Sequence, residues 1–269
     1  MPEGHTIHRL ARDHATWFAG RPVRVESPQG RFLAGASLLN GATLESTDAY
    51  GKHLFHRYAG GRTVHVHLGL FGRFFVHGLP APEPRETVRY RIIGEERATD
   101  LVGATACELL DPEEIDAILA RLGPDPIRKD ADPERAWAAL QRRSIPIGRA
   151  LMDQSVLAGV GNVYRAEVLF VHGIHPETPA KQMTREQWDA IWVTLVSWLR
   201  RGVRQRRIIT VDPEEAGKPR SRMTRAEATY VYKSDQCPRC GTDIRRWDLA
   251  GRWAYACESC QPRPRSNQR

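Results

Sequence analysis

Four cysteines near the C-terminus restrict the fold of this chain more than any other feature. They form two C-x-x-C pairs that are sixteen residues apart: Cys237, Cys240, Cys257 and Cys260. Each pair presents two thiolates on a tight turn, so the four together suit one tetrahedral Zn²⁺. The residues between the pairs, 243–249 and 252–256, have the pattern of two strands joined by a glycine turn. We therefore expect a zinc-ribbon hairpin with one structural Zn²⁺, because no ligand position stays open for catalysis.

The charge of the chain indicates which kind of molecule it binds. The net charge is +8 and the sequence pI is about 9.5, which suits a polyanion such as nucleic acid or an anionic membrane surface. No run approaches the ~18 apolar residues of a spanning helix, and the polar N-terminal stretch does not resemble a secretion signal. We therefore expect a soluble cytoplasmic protein, where C-x-x-C pairs favour metal over disulfides. Cys107, the remaining cysteine, is interpreted as an inert buried thiol.

The first half of the chain has the pattern of a β-domain preceded by a helix. From Ile7 to Phe18 the apolar residues recur at helical spacing, and Gly20 and Pro22 end that pattern. About eight strand-like segments follow: 23–25, 43–50, 53–58, 62–68, 72–77, 87–93, 98–102 and 105–110. A helix capped by Asp111 then runs to Leu122. The pattern predicts an α+β protein with an N-terminal β-sandwich over residues 1–122.

Proline and glycine interrupt the pattern after this point, and the rest is helical. We expect a linker at 123–134, a helical domain at 135–232 and the zinc finger at 233–263. Predicted helices cover 134–142, 147–156, 160–172 and 184–204, and residues 212–226 have the composition of a mobile loop. Trp188, Ile191, Leu195 and Leu199 recur at helical spacing and are interpreted as core residues.

The N-terminus carries a possible catalytic pair. If Met1 is removed, Pro2 becomes a secondary amine, and α-amino groups titrate near pH ~7.7–8.0, so part of it is nucleophilic at neutral pH. Such an amine can attack a sugar carbon and form an iminium, with Glu3 next to it to move protons. The alternative is an ordinary helix start with Pro2 at the first helical position.

Three further motifs are compatible with binding or with structure alone. Glycines before Asn162 are predicted to join two helices. Backbone N–H groups at the start of the second helix could bind phosphate. Alternatively, Asn162 could simply cap that helix. Lys52 follows Gly51 between two strands and could reach into a groove, or be a surface lysine. His65 and His67 alternate on one strand and lack a third metal ligand nearby, so we interpret them as hydrogen-bonded core or groove histidines.

Together these motifs resemble the bacterial formamidopyrimidine-DNA glycosylase / endonuclease VIII family over nearly the whole chain. Pro2-Glu3 looks like its catalytic pair, Lys52 its hairpin lysine, and Gly161-Asn162 part of its helix–two-turns–helix motif. Arg252 lies at the position of its DNA-contacting zinc-finger arginine, and Leu70-Phe71 is similar to the loop that fills the gap left by a flipped base. The start Pro-Glu-Gly resembles the endonuclease VIII branch, which is associated with oxidised pyrimidines.

The resemblance implies a bifunctional glycosylase/AP lyase of base excision repair that acts as a monomer on damaged double-stranded DNA associated with the nucleoid. Pro2 would form the Schiff base, and β,δ-elimination would nick the strand. One departure matters, because Thr6 stands where the family usually carries a second glutamate. Two alternatives follow: a relative that has lost activity, and a non-catalytic zinc-ribbon DNA-binding protein related to the family.

Overall fold

Two units make up the chain in the computed structural model, which describes residues 2–264. The units are Met1–Arg121 and Leu122–Arg269. The first contains two antiparallel sheets and three helices. The second contains five helices, two short 3₁₀ turns and a two-stranded hairpin.

The first unit is an antiparallel sandwich with a helix packed against it. Its helices are α1 (Gly4–Phe18), α2 (Leu33–Leu39) and α3 (Pro112–Ala120). Its strands are β1 (Arg21–Pro22), β2 (Arg24–Glu26), β3 (Thr43–Tyr50), β4 (His53–Tyr58), β5 (Arg62–His67), β6 (Arg73–Gly78), β7 (Val88–Ile93), β8 (Arg97–Val102) and β9 (Ala106–Leu110). One sheet has the order β1-β3-β4-β5-β9 and the other has the order β2-β7-β8-β6.

A single apolar core joins these two sheets to α1. It contains Leu54 and Val64 from the first sheet, Ile92 and Leu101 from the second, and Ile7 from the helix. Alternate strand residues point to one face of a sheet, so the inward residues of these strands are mainly apolar, with the buried His56 of β4 as an exception. The predicted α+β class and N-terminal sandwich are confirmed. The sequence did not reveal helix α2, which has only seven residues.

The ends of the helices follow local chemistry. Asp111 caps α3 as expected, because its carboxylate accepts from the backbone N–H of Glu114, which completes a capping box. Helix α1 ends at Phe18, and Gly20 then has φ of +78°, a value that glycine tolerates without a Cβ clash. Cys107 is buried at 2 % exposure, as expected, and burial raises the pKa of its thiol to about 12.

The second unit has a helical part and a cysteine hairpin. Its elements are α4 (Pro133–Gln141), α5 (Ile147–Ala150), α6 (Asn162–Val171), α7 (Arg185–Gln205), α8 (Pro213–Ala216), 3₁₀ turns at Ala180–Gln182 and Arg220–Arg222, β10 (Arg245–Asp248) and β11 (Trp253–Ala256). Trp188, Ile191, Leu195 and Leu199 on α7 are fully buried, as predicted.

Two sequence predictions in this unit were wrong. The helix expected at 147–156 stops at Ala150, because Asp153 accepts from the backbone N–H and the hydroxyl of Ser155 instead of continuing the helix. The segment 212–226, expected to be a mobile loop, is not all loop, because it contains α8 and a 3₁₀ turn, and its mobility stays a prediction. It is held to the unit by two hydrogen bonds from Arg207 Nη2, to the carbonyls of Arg220 at 2.8 Å and Met223 at 2.7 Å.

Candidate functional site

The N-terminal pair sits at the start of α1. Glu3 is the N-cap residue with extended backbone, and its carbonyl accepts from the N–H of Thr6 at 2.8 Å. Pro2 therefore lies outside the helix, so the alternative that placed it at the first helical position was wrong. Glu3 is fully buried and Pro2 is half-buried. Met1, whose removal would free the Pro2 amine, lies outside the described residues.

A cleft of about 440 Å³ opens beside Pro2 in the same unit. Thr6 and Arg9 from α1 line one part of it, and the loop between β5 and β6 lines another part through Leu70 and Phe71. These two apolar side chains are exposed, Leu70 by 42 % and Phe71 by 83 %. The structure thus brings the expected nucleophile and the expected wedge loop together at one cavity. Sequence reasoning missed Arg9, because a basic residue on an amphipathic helix gives no signal that it lines a cleft.

The β5–β6 loop is fixed by close backbone packing against the turn after β8. A Cβ on Gly72 would lie 2.3 Å from the carbonyl oxygen of Leu68 and 2.9 Å from the Cα of Ala104. Gly69 has φ of +64°, and a Cβ there would lie 1.9 Å from the Thr105 hydroxyl. Only glycine fits at these two positions, so the exposed apolar tip is carried on a rigid base.

Lys52 lies in the two-residue turn between β3 and β4, where Tyr50 pairs with His53. Gly51 supplies the positive φ of +56° that such turns require. Lys52 is half-buried, which is compatible both with a surface lysine and with a side chain that reaches into a groove. Its ammonium acts electrostatically on His53 and His67, and His67 ends the strand that leads into the β5–β6 loop.

The histidines beside Lys52 form a hydrogen-bonded row. His53 Nδ1 lies 2.9 Å from His65 Nε2, and His65 Nδ1 lies 2.9 Å from Glu108 Oε1. Burial, followed by the positive charge of His65, lowers the pKa of His53 to about 3, so this imidazole is neutral at pH 7. The prediction that His65 is hydrogen-bonded rather than a metal ligand agrees with these contacts.

In the second unit, Asn162 holds the cysteine hairpin to helix α6. Gly161 is the N-cap and Asn162 is the first helical residue, so the alternative that Asn162 caps the helix was wrong. Its Nδ2 donates to the carbonyl of Trp253 at 3.1 Å, and its Oδ1 accepts from Arg165. Arg165 Nη2 also donates to the Trp253 carbonyl at 2.8 Å. Sequence reasoning missed Arg165, although its spacing of three residues from Asn162 places both on one helix face.

A buried carboxylate ties the segment 210–232 to the same helix. Glu167 on α6 is fully buried and accepts from the Thr210 hydroxyl at 2.6 Å. It also accepts from the backbone N–H groups of Tyr230, Val231 and Tyr232 at 2.6, 2.9 and 2.9 Å. Burial raises the pKa of Glu167, and the four hydrogen bonds oppose that rise. An isolated glutamate in a helix gives no sequence signal for such a role, and it was not predicted.

The four cysteines converge at the end of the hairpin. Their Sγ atoms lie within 4.8 Å of one another, with separations of 3.8 Å for Cys237–Cys260, 3.4 Å for Cys240–Cys257 and 3.6 Å for Cys240–Cys260. A tetrahedral ion with metal–sulfur bonds of ~2.3 Å places its ligands about 3.8 Å apart, so the cluster fits one thiolate-bound metal ion. Within residues 2–264, this is the one group of histidine, cysteine and acidic side chains arranged to hold a metal ion.

Arg252 stands at the tip of the hairpin. Ala250 and Gly251 have positive φ of 55° and 76°, and Leu249 N–H donates to the Arg252 carbonyl at 2.8 Å, which closes a two-residue turn. Arg252 is exposed. Two other arginines of the module have partners: Arg245 pairs with Glu258 at 2.7 Å, and Arg239 lies over the ring of Phe170 on α6.

Comparison with known proteins decides the family. The model of the formamidopyrimidine-DNA glycosylase N-terminal domain matches residues 1–102, and the model of the formamidopyrimidine-DNA glycosylase H2TH domain matches residues 122–213. The chain belongs to the formamidopyrimidine-DNA glycosylase / endonuclease VIII family. This membership confirms the resemblance seen in the sequence, and with it the expected enzyme class, a DNA glycosylase and AP lyase of DNA repair.

Relatives of this chain include proteins named endonuclease 8 and proteins named formamidopyrimidine-DNA glycosylase. It is 49 % identical to "Endonuclease 8 1" of Mycobacterium tuberculosis, a match that covers 97 % of this chain and 100 % of that one. It is 30 % identical to the formamidopyrimidine-DNA glycosylase of Thermomicrobium roseum, over 97 % and 99 % of the two chains. The Lactococcus lactis Fpg bound to abasic-site DNA shares the fold, with a TM-score of 0.80, 20 % identity and coverage of 97 % and 100 %.

The glycosylase fold distributes the expected site residues over both units. Pro2, Glu3, Lys52, Leu70 and Phe71 belong to the first unit, and Gly161, Asn162, Arg252 and the four cysteines belong to the second. Their roles remain predictions. None of the helices in the described part of the chain has the length and apolar character needed to span a bilayer.

Proposed function

We propose that this glycosylase removes oxidised bases, chiefly pyrimidines, through a Schiff base on the Pro2 nitrogen and then nicks the strand. The observation that carries the proposal is the cleft shared by Pro2 and the Leu70–Phe71 loop. A base must leave the helical stack before its C1′ is accessible, and an apolar wedge beside the nucleophile would fill the gap. The preference for pyrimidines is supported by the higher identity to the endonuclease 8 relatives.

Pro2 and Glu3 supply the nucleophile and the proton transfers of the reaction. The unprotonated Pro2 nitrogen attacks C1′ and the C1′–N bond to the base breaks, while the proton of the Pro2 N–H passes through Glu3 to the departing base. Glu3 protonates the ring oxygen, the sugar opens, and an iminium forms between Pro2 and C1′. The iminium acidifies the C2′ proton, so β-elimination expels the 3′ phosphate and δ-elimination the 5′ phosphate. Water then releases the sugar fragment and regenerates the amine.

Because Thr6 is not an acid, more of this proton transfer depends on Glu3. The family usually carries a second glutamate at this position, whereas the Thr6 hydroxyl lines the cleft and lies 3.2 Å from His5 Nε2. A hydroxyl does not supply a proton as a carboxylic acid does near pH 7. We infer that Glu3, fully buried at the helix start, carries the acid–base steps alone, with Thr6 binding water or the base.

The DNA contacts are proposed for both units. Lys52, Asn162 and Arg252 would bind phosphates near the lesion, with Gly161 allowing close approach of the backbone, in keeping with the net charge of +8. The four cysteines would hold one Zn²⁺, which fits their number and separations and keeps the hairpin folded. We further propose that the enzyme acts as a monomer on damaged double-stranded DNA in the bacterial cytoplasm, at the nucleoid.

One incubation tests the proposal. Protein from which Met1 has been removed is mixed with a labelled duplex that contains an abasic site or an oxidised pyrimidine. The cleavage products are then separated on a denaturing gel. Nicking at the lesion with phosphate at both new ends is expected. Binding without nicking would instead support a non-catalytic DNA-binding protein, the alternative that leaves the Pro2 cleft unexplained.

A further inference from the structure

An exposed tryptophan on the hairpin has no role in the mechanism above. Trp253 is the first residue of β11 and follows Arg252 directly. All seven tryptophans lie in the described part of the chain, and only Trp253, at 53 %, is exposed. An exposed aromatic ring among basic side chains is the kind of group on which nucleic-acid bases stack.

The backbone under this ring is held rigidly. The Trp253 carbonyl accepts two hydrogen bonds from helix α6, one from Asn162 at 3.1 Å and one from Arg165 at 2.8 Å. Arg165 is itself 1 % exposed and also donates to the Gly148 carbonyl at 3.2 Å. The ring is therefore presented from a fixed position, which lowers the entropy cost of binding a flat partner.

The charges around the ring favour an anionic partner. Arg246 pairs with Tyr255 across the hairpin, so it is the diagonal neighbour of Trp253 on the same face, and its Cζ lies 5.2 Å from the ring centroid. The acidic residue on this face is Asp248, which pairs with Trp253 across the hairpin. Its Oδ1 accepts a hydrogen bond from the Gly251 N–H at 3.1 Å within the turn. Arg252, which is exposed, precedes Trp253 in the chain. An arginine packed on an aromatic ring, with another basic residue next to it in the chain, is a combination that stacks bases and neutralises their phosphates.

We propose that Trp253, supported by Arg246, is a stacking site for an unpaired nucleobase of the bound DNA. The inference rests on the proposed DNA-repair function and deepens it, since flipping and nicking leave bases without a paired neighbour. With this stacking site, the second unit would bind unpaired bases as well as phosphates. Stacking contributes affinity without sequence preference, because every base has a flat face.

Affinity measurements with matched DNA and matched variants test the site. Fluorescence anisotropy compares wild type, Trp253→Ala and Trp253→Phe on a single strand of about 15 thymidines and on an undamaged duplex of equal length. Trp253→Ala should weaken binding to the single strand roughly ten-fold, and Trp253→Phe should stay within about three-fold because it keeps a ring. The dependence of affinity on salt should not change in either variant, since stacking releases no counterions.

Three results would overturn the site. Trp253→Ala could leave the affinity for the single strand unchanged, it could lose as much affinity for the duplex as for the single strand, or the alanine and phenylalanine variants could lose the same affinity.

A second measurement uses the wild-type protein alone, so it does not depend on the folding of a variant. Acrylamide should quench Trp253 more strongly than the less exposed tryptophans, and saturating single-stranded DNA should reduce the total quenching. Quenching that single-stranded DNA does not reduce refutes stacking. Nicking of an abasic duplex is scored separately, so failure of the proposed function and failure of this site remain distinguishable.

Discussion

His14 Nδ1 lies 3.0 Å from His56 Nε2 inside the sandwich, and both imidazoles are completely buried. His56 Nδ1 in turn lies 3.1 Å from the Tyr90 hydroxyl, which lies 2.6 Å from the Tyr58 hydroxyl. Burial lowers the pKa of His56 to about 3, and burial followed by the charges of His56 and Arg9 lowers the pKa of His14 well below 6.5. Both side chains are neutral in the folded state.

This pair makes the first unit sensitive to acid. The unfolded chain binds protons on these histidines below pH ~6.5 and the folded chain does not, so stability is present above that pH and falls as pH drops toward 3. Each histidine should remove about 2 kcal/mol of unfolding free energy between pH 7 and pH 5. Urea unfolding at both pH values measures the difference. His14→Phe should reduce it, whereas Trp17→Phe, which alters packing against the same ring, should not.

Substitution of Lys52 should impair strand cleavage more than folding. Lys52→Ala removes a half-buried ammonium from a turn whose backbone is set by Gly51, so the melting temperature should stay within a few degrees. Nicking of an abasic duplex should fall by at least about ten-fold, because a positioned charge on the phosphate is lost. Lys181→Ala, an exposed lysine on the second unit, is the matched control. Wild-type cleavage by Lys52→Ala would contradict the assigned role.

The base of the β5–β6 loop should tolerate no side chain. Gly72→Ala would place a Cβ 2.3 Å from the Leu68 carbonyl, so the loop with Leu70 and Phe71 must shift. Excision from a duplex with a damaged base should drop at least about ten-fold, since small displacements of positioning groups are costly. In the control Gly78→Ala, at the far end of β6, the new Cβ meets nothing within 4 Å, so this variant should excise normally. Equal activities of the two variants would show that the loop position is unimportant.

Replacement of Glu167 should loosen the segment 210–232. Glu167→Gln turns an acceptor of four hydrogen bonds into a group that also carries donors facing backbone N–H groups. The expected loss of stability is about 2–4 kcal/mol, the usual cost of breaking a buried polar network. Thermal unfolding measures it, together with proteolysis at residues 212–226. Glu113→Gln, on an exposed helix face of the first unit, should change little.

The sequence revealed those parts of the molecule that depend on local patterns. Strands β3 and β4 appear at their predicted bounds, because alternation and turn residues define them without reference to the rest of the chain. The four cysteines were recognisable from spacing alone. Arg165 and Glu167 were not, because a buried charge is identified by the carbonyls or N–H groups that surround it. Those partners, Trp253 and residues 230–232, are distant in sequence.

The position of Asn162 illustrates the same limit. Its place after a glycine turn indicated a helix start, but the choice between a cap and another role depended on what lies opposite the side chain. The structure places the Trp253 carbonyl there. The cleft at Pro2 likewise required the fold, since residues 2 and 70 are brought together only by the packing of α1 and the β5–β6 loop.

The central claim is that the amine of Pro2 attacks the sugar, and borohydride trapping tests it most directly. Two forms of the protein are compared on an abasic duplex: one with Met1 removed, and one in which Met1 is retained, so that the Pro2 nitrogen is an amide. Reduction should join the processed form covalently to DNA, with the adduct mapped to Pro2 by mass spectrometry, and should leave the Met1-retaining form free. An adduct on Lys52, or equal trapping of both forms, would contradict the account.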